Sequence, residues 1–89
     1  MAAKTIWKFP VPLKDTFKVE MPSDSEVLCV QLQDGQPTIW AVVDPSSPKV
    51  ETPFIIHGTG HPISDEAGSY VGTFQLSNGL VFHLFEVIQ

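Results

Sequence analysis

The segment "IHGTGHPI", residues 56–63, concentrates the residue types of this chain that are best suited to chemistry. His57 and His61, two of only three histidines, flank Gly58, Thr59 and Gly60. Histidine can move a proton or bind a metal, and closely spaced glycines can turn backbone N–H groups toward an anion. These five residues are therefore our predicted ligand-binding site. The simpler alternative is a turn in which the glycines supply positive φ angles and the histidines pack or cap carbonyls.

The spacing of the possible ligands argues against a metal site. His57, His61 and Asp65 follow one another at intervals of four, which would gather them on one side of a helix. Two glycines and a proline interrupt that helix. A zinc site needs three or four ligands, and the single cysteine, Cys29, lies in a distant apolar run that suggests a small buried hydrophobe. We predict no metal and no other cofactor.

Catalysis by this segment lacks a well-placed nucleophile. A histidine and a carboxylate could activate a hydroxyl of Thr59, Ser64 or Ser69. None of these hydroxyls follows the strand-turn-helix pattern that exposes a nucleophile. The adjacent carboxylates Asp65 and Glu66 are typical of a solvated loop rather than of an acid/base pair. We predict that the protein is not an enzyme and has no catalytic residue, with a small hydrolase as a distant alternative.

Anion binding remains open for the same segment. The N–H groups of Gly58, Thr59, Gly60 and His61 could form a small nest, although the spacing matches no phosphate fingerprint. Arginine is absent, so the usual bidentate phosphate clamp is missing. Stacking by Trp7, Trp40 or Tyr70 could supplement backbone donors if these rings are accessible. A small anionic ligand is therefore one predicted partner, and a host protein is the other.

Composition excludes several classes of partner. The 89-residue chain has a formal net charge of −5 and five lysines as its only strongly basic side chains, which argues against binding to duplex nucleic acid. No apolar run approaches the length of a membrane span, and the N-terminus lacks a signal-peptide pattern. These features predict no membrane partner and a cytoplasmic protein.

The remaining sequence predicts an all-β fold. Eight prolines break any long helical pattern, whereas short alternating or β-branched runs are frequent. We predict one domain over residues 1–89: a small β-sandwich or partly closed β-barrel of about seven antiparallel strands with two tight hairpins. The predicted strands are residues 4–9, 16–21, 26–33, 38–43, 52–58, 70–77 and 80–88.

The dipeptides Asp34-Gly35 and Asn78-Gly79 predict two-residue type I′ hairpins, because both central positions need positive φ. Opposed residues follow by counting outward from each turn. The first hairpin gives Leu32/Pro37, Gln31/Thr38, Val30/Ile39, Cys29/Trp40, Leu28/Ala41 and Val27/Val42. The second gives Leu76/Val81, Phe74/His83, Gly72/Phe85 and Tyr70/Val87.

The second register has consequences for the surface. It places His83 in the core, and it places Phe85 across the bare backbone of Gly72. It also leaves an apolar stripe on the outer face of the last strand, which predicts a subunit contact and a homo-oligomer. The predicted interface residues are Leu80, Phe82, Leu84 and Ile88.

The motifs "FPVPL", "MPSDSEVLCVQ", "WAVVDP", "GTGHPI" and "VGTFQ", taken together, resemble a family of short proteins encoded by bacteriophages and prophages. The resemblance covers nearly the whole chain, and none of the motifs is catalytic. It implies a phage origin and a compact β-domain, and it brings no catalytic residues with it.

These observations predict a non-enzymatic phage-type binding protein. We expect a host-modulating or counter-defence factor in the cytoplasm of the infected bacterial host. It would act by occupying a host protein or by sequestering a small nucleotide signal. The alternative is a minor virion or assembly component that binds other phage proteins.

Overall fold

The computed structural model describes residues 3–87, which form seven β-strands. Within that range there is no helix, and so none long and apolar enough to cross a membrane. All seven predicted strands are confirmed, with ends that move by up to three residues, although Ile88 lies outside the described range. The strands are β1 (Thr5–Pro10), β2 (Thr16–Pro22), β3 (Glu26–Gln33), β4 (Gln36–Val43), β5 (Lys49–Gly58), β6 (Ala67–Gln75) and β7 (Val81–Val87).

The strands form two antiparallel sheets. The first has the order β1-β4-β3, and the second has the order β2-β5-β7-β6. Neither sheet closes on itself within residues 3–87, so the architecture is a small β-sandwich and not a barrel. The antiparallel, all-β prediction is confirmed.

The first predicted hairpin is confirmed at its turn. Asp34 has φ 50° and Gly35 has φ 79°, as a type I′ turn requires. The predicted pairs hold from the turn to Cys29, which opposes Trp40 and is half-buried rather than buried. A β-bulge at Leu28 then shifts the register, so that Val27 opposes Ala41. The two outermost predicted pairs, Leu28/Ala41 and Val27/Val42, are therefore wrong.

The second predicted hairpin has a different turn. The N–H of Gly79 donates to the carbonyl of Leu76 at 2.9 Å, and the N–H of Leu76 donates to the carbonyl of Leu80 at 2.9 Å. The loop therefore has three residues and ends in Gly79, whose φ is 90°. A type I turn followed by a left-handed glycine is the common three-residue hairpin. The pairs beyond it shift by one residue: Phe74 opposes Phe82, Thr73 opposes His83, and Gly72 opposes Leu84.

This shift exchanges the two faces of β7, because side chains alternate along a strand. Leu84 is fully buried in the core, and Phe82 packs partly buried against it. The predicted outer stripe of Leu80, Phe82, Leu84 and Ile88 is therefore not formed. Of its three described members, only Leu80 is exposed, at 54%. A subunit contact at Leu80 stays a prediction, and His83 lies on the outer face rather than in the core.

The core fills the space between the sheets. The sheets approach closely where β3 passes β6: a methyl group at Gly72 would lie 2.9 Å from Cγ1 of Val30. Gly72 therefore makes room for the opposite sheet, and the predicted cover by Phe85 is wrong. The buried cluster comprises Val11, Met21, Val30, Ile39, Phe54, Ile56, Phe74 and Leu84.

Candidate ligand-binding site

A pocket of about 280 Å³ opens on the outer face of the second sheet, away from the core. All five predicted site residues line it, and so do all three histidines of the chain. Four lining residues stand outside the predicted site: Ile63, Tyr70, His83 and Phe85. The full lining is His57, Gly58, Thr59, Gly60, His61, Ile63, Tyr70, His83 and Phe85.

Strand pairing brings three of these side chains together. His57 on β5 opposes His83 on β7, and Ile55 opposes Phe85 two residues away. Opposed residues and their i±2 neighbours share one face of a sheet. Because Leu84 points into the core, His83 and Phe85 point outward together with His57.

A β-bulge adds Tyr70 to this face. The register shifts between Tyr70 and Gly72, so that Val71 is the extra residue and Tyr70 opposes Phe85. Without the bulge, Tyr70 would stand opposite the next residue and point to the other face. The ring of Phe85 makes edge contacts with Tyr70 at 5.6 Å and with His57 at 6.0 Å between centroids. The three rings form a row, His57–Phe85–Tyr70, that we call the aromatic row.

The loop between β5 and β6 is attached to this face through His57. The backbone N–H of Ser64 donates to Nε2 of His57 at 3.1 Å. An acceptor nitrogen carries no proton, so this bond requires the neutral tautomer of His57 with its proton on Nδ1. Ser64 also organises the rest of the loop, because its hydroxyl accepts from the N–H of Glu66 and its carbonyl accepts from the N–H of Ala67.

The Gly-Thr-Gly segment is a turn that forms one wall of the pocket. The N–H of Thr59 donates to the Val81 carbonyl at 3.2 Å, and the N–H of His61 donates to the Gly58 carbonyl at 3.1 Å. Two of the four N–H groups of the predicted anion nest are thus used within the fold, and the nest is not formed. Positive φ is confined to Gly60 in this turn, at 88°. Gly58 instead lies under the imidazole of His61.

A continuous chain of hydrogen bonds crosses the pocket from the loop to β6. Oγ1 of Thr59 lies 2.8 Å from Nε2 of His83. Nδ1 of His83 lies 2.9 Å from Oγ1 of Thr73, which lies 2.6 Å from the hydroxyl of Tyr70. We call these side chains, Thr59–His83–Thr73–Tyr70, the hydroxyl–histidine relay. Both nitrogens of His83 are engaged by neutral hydroxyls.

The structure places the three histidines around one pocket. Among residues 3–87 no group of three or more histidine, cysteine or acidic side chains is placed to hold a metal ion. His57 is bound to the loop, and His83 is bound to two threonines. The relay also differs from a catalytic triad, because its third member is an uncharged hydroxyl where a triad has a carboxylate.

The segment between β4 and β5 is a turn held together by Asp44. The carboxylate of Asp44 accepts hydrogen bonds from the hydroxyl of Ser46 at 2.6 Å and from its backbone N–H at 2.9 Å. The hydroxyl bond and then the N–H bond lower the pKa of Asp44 below its usual value. The hydrogen bonds of this carboxylate therefore stabilise the turn.

A larger cavity, about 610 Å³, has a different lining. It combines apolar side chains such as Met21 and Val50 with small polar residues and the carboxylates of Asp24 and Glu86, and it includes no aromatic ring and no histidine. The outer pocket therefore has the richer recognition chemistry.

The fold and this pocket define a small β-sandwich protein with an aromatic pocket on the outside of one sheet. Residues 2–89 match the model of a family described as Domain of unknown function (DUF7352), and the chain belongs to that family. No curated protein and no solved structure matches the chain.

Proposed function

We propose that this protein is a non-enzymatic binding protein that holds a small ring-containing ligand in the outer pocket. The observation that carries the proposal is the aromatic row, which lies in a concave site between the docked loop and the relay. Small-molecule sites combine an apolar, aromatic lining with a few placed polar groups. Ile63 and Tyr70 line the pocket and stay 64% and 60% exposed, which leaves apolar surface for a ligand to cover.

The electrostatics favour recognition of a ring over recognition of a phosphate. The chain carries a net charge of −5 and has no arginine. Asp65 and Glu66 are exposed on the same loop, and the N–H groups of Thr59 and His61 are already used. A phosphate would meet like charge and few free donors. If the ligand is a nucleotide signal, its base is the part held in the pocket.

The biological setting of the proposal comes from the resemblance to phage and prophage proteins. In that setting the protein is a host-modulating or counter-defence factor in the cytoplasm of the infected bacterium, and the pocket sequesters a small nucleotide signal. Sequestration needs binding without turnover. The relay supports binding, because a neutral threonine beside His83 does not stabilise the imidazolium that general-base catalysis creates.

A protein partner is the second candidate. Three large apolar side chains, Leu13, Ile63 and Leu80, are exposed at 48%, 64% and 54%. Leu13 and Leu80 line shallow depressions that each also include His61 and Phe82. Apolar side chains grouped around one loop are a feature of protein-binding surfaces. A host protein, or another phage protein in a virion, would dock over this loop.

Ligand binding can be tested by NMR titration of the protein with nucleosides and cyclic nucleotides. Phe85→Leu removes the central ring but keeps apolar volume, and Trp40→Leu is the matched change on the other sheet. We expect shifts at Tyr70, His57 and His83, with at least tenfold weaker binding in Phe85→Leu and unchanged binding in Trp40→Leu. Absence of shifts with every compound at millimolar concentration would refute the small-ligand proposal.

The protein-partner candidate needs a separate experiment. Leu13→Ser and Leu80→Ser should abolish retention of a host protein on the immobilised chain, while Phe85→Leu should leave retention intact. Detection of the chain in purified virions would instead support the assembly role.

A further inference from the structure

We propose that the hydroxyl–histidine relay makes the pocket selective for uncharged planar rings that carry adjacent hydrogen-bond donors and acceptors, such as lactams and aminopyrimidines. The inference rests on the proposed ligand-binding function and specifies its ligand class. Three relay members, Thr59, His83 and Tyr70, line the pocket. Thr73 does not line it, yet Thr73 joins His83 to Tyr70.

The relay has two proton arrangements, because neutral histidine has one donor nitrogen and one acceptor nitrogen. In the first, Nε2 of His83 carries the proton and donates to Thr59. The hydroxyl of Thr59 then donates to the Val81 carbonyl, which lies 3.4 Å away. Nδ1 of His83 accepts from Thr73, and Thr73 accepts from Tyr70. The Tyr70 oxygen then offers a ligand only lone pairs.

In the second arrangement, Nδ1 of His83 carries the proton and donates to Thr73. Thr73 in turn donates to the Tyr70 oxygen, over the same 2.6 Å. The hydroxyl proton of Tyr70 is now free for a ligand. At the other end Thr59 donates to Nε2 of His83, and its lone pairs are free to accept.

The two arrangements therefore present opposite hydrogen-bonding patterns at Tyr70, and each keeps every relay bond. A ring with an acceptor next to a donor can select one arrangement without breaking a bond of the relay. The second arrangement gives up only the 3.4 Å bond from the Thr59 hydroxyl to the Val81 carbonyl. A purely apolar ring gains nothing from the relay, and an anion finds no added charge there. His57 also lines the pocket, and the bond from Ser64 to its Nε2 leaves Nδ1 as the nitrogen that carries a proton.

Thr73 is a positioning residue in this scheme, since it acts on the pocket only through His83 and Tyr70. Thr73→Val keeps the shape of the side chain and removes the hydroxyl that connects them. His83 and Tyr70 then lose their coupling, while the pocket lining is unchanged. Thr73→Ser retains the hydroxyl and is the matched control.

The test is NMR titration of the intact chain with uracil, with 1,3-dimethyluracil, which lacks N–H donors, and with inorganic phosphate. We expect uracil to bind the wild-type protein at least tenfold more tightly than dimethyluracil, and phosphate not to bind. Thr73→Val should lose this discrimination and keep its affinity for dimethyluracil, and Thr73→Ser should restore the discrimination. The ¹⁵N shifts of the His83 ring should change on uracil binding in the wild-type protein.

Equal binding of uracil and dimethyluracil by the wild-type protein would overturn the relay inference and leave the ring-binding proposal standing. Unchanged discrimination in Thr73→Val would overturn it as well. Failure of both rings and of the nucleosides to bind would refute the ring-binding proposal and the relay inference together. Tight binding of phosphate would assign the pocket to anions.

Discussion

His57 and Ser64 are joined by a hydrogen bond in which the imidazole accepts and the backbone donates, with 3.1 Å between Nε2 and the amide nitrogen. Ser64 lies seven positions after His57 in the chain, and the bond closes the loop between β5 and β6 against the sheet. A protonated imidazole has no lone pair to accept with, so the closed loop requires neutral His57.

Removal of the acceptor should therefore open this loop. In His57→Phe the ring is kept but the Ser64 N–H loses its acceptor, so we expect amide exchange at Ser64 to be faster than in the wild-type chain. His57→Gln offers an uncharged acceptor and is the matched control. Equal protection of Ser64 in the wild-type chain and in His57→Phe would contradict the bond.

The close approach of β3 and β6 makes Gly72 sensitive to added volume. A methyl group there would lie 2.9 Å from Cγ1 of Val30 and 3.5 Å from its backbone nitrogen. Gly72→Ala should lower the free energy of unfolding by about 1–3 kcal/mol, as overpacking does. Val30→Ala removes the methyl groups that a side chain at residue 72 would meet. The double variant Gly72→Ala/Val30→Ala should therefore lose less unfolding free energy than the sum of the two single losses. If chemical denaturation gave a double-variant loss equal to the sum of the single losses, the two sheets would not be in contact at this point.

Gly58 and Gly60 should respond differently to alanine. At Gly58 a methyl group would lie 2.9 Å from Cε1 of His61, the end of a flexible side chain. Gly58→Ala should displace the His61 ring, visible in its NMR shifts, and change stability by less than about 1 kcal/mol. Gly60 has open space but a φ of 88°, so Gly60→Ala should cost about 1–2 kcal/mol through backbone strain. A larger loss of stability in Gly58→Ala than in Gly60→Ala would contradict the geometry of this turn.

Alanine variants of Leu84 and Leu80 distinguish the observed register of β7 from the register that a two-residue loop at Asn78-Gly79 would give. Leu84 is fully buried, and Leu84→Ala should cost about 2–5 kcal/mol. Leu80 is exposed, and Leu80→Ala should change stability by less than about 0.5 kcal/mol. Comparable losses in the two variants, measured by denaturant unfolding of the isolated chain, would favour the alternative register.

Asp44 provides a prediction about acid. Its pKa is lowered in the folded chain, first by the Ser46 hydroxyl and then by the Ser46 N–H. A lowered folded pKa adds stability above the unfolded pKa, and that stability is lost as the pH falls through the folded pKa. Ser46→Ala should raise the pKa of Asp44 in a carboxyl NMR titration. Ser47→Ala keeps the backbone N–H that bonds the Asp44 carbonyl and should leave the titration unchanged.

The two glycine turns show how far the sequence predicts this fold. Asp34-Gly35 and Asn78-Gly79 look equivalent, and strand positions follow correctly from both. The first forms a two-residue loop with both central residues at positive φ. In the second, Gly79 closes a three-residue loop, and the one-residue difference reverses the two faces of β7. Both loops are compatible with an Asn-Gly pair, so local turn chemistry does not select between them.

The loop side of the pocket was predictable, whereas Tyr70 was only one of three rings proposed for stacking, and Trp7 and Trp40 do not line the pocket. The cluster of histidines and glycines points to His57–His61, because unusual residue types stand close together in the chain. His83 and Phe85 depend on the register of β7, and Tyr70 depends on the bulge at Val71. Bulges respond to packing between strands distant in sequence. The alternation of His83 and Phe85 along β7 would have signalled their common face, once the turn was known.

Folding stability and the proposed ligand binding depend on different residues in this protein. Its nine lining residues include none of the eight that form the buried core, since core and pocket lie on opposite sides of the second sheet. Under the proposed function, substitutions at Tyr70 or Thr59 would alter ligand binding while the interior stays intact. A lineage of such chains would then change its ligand by exchanging surface residues, at little risk to folding.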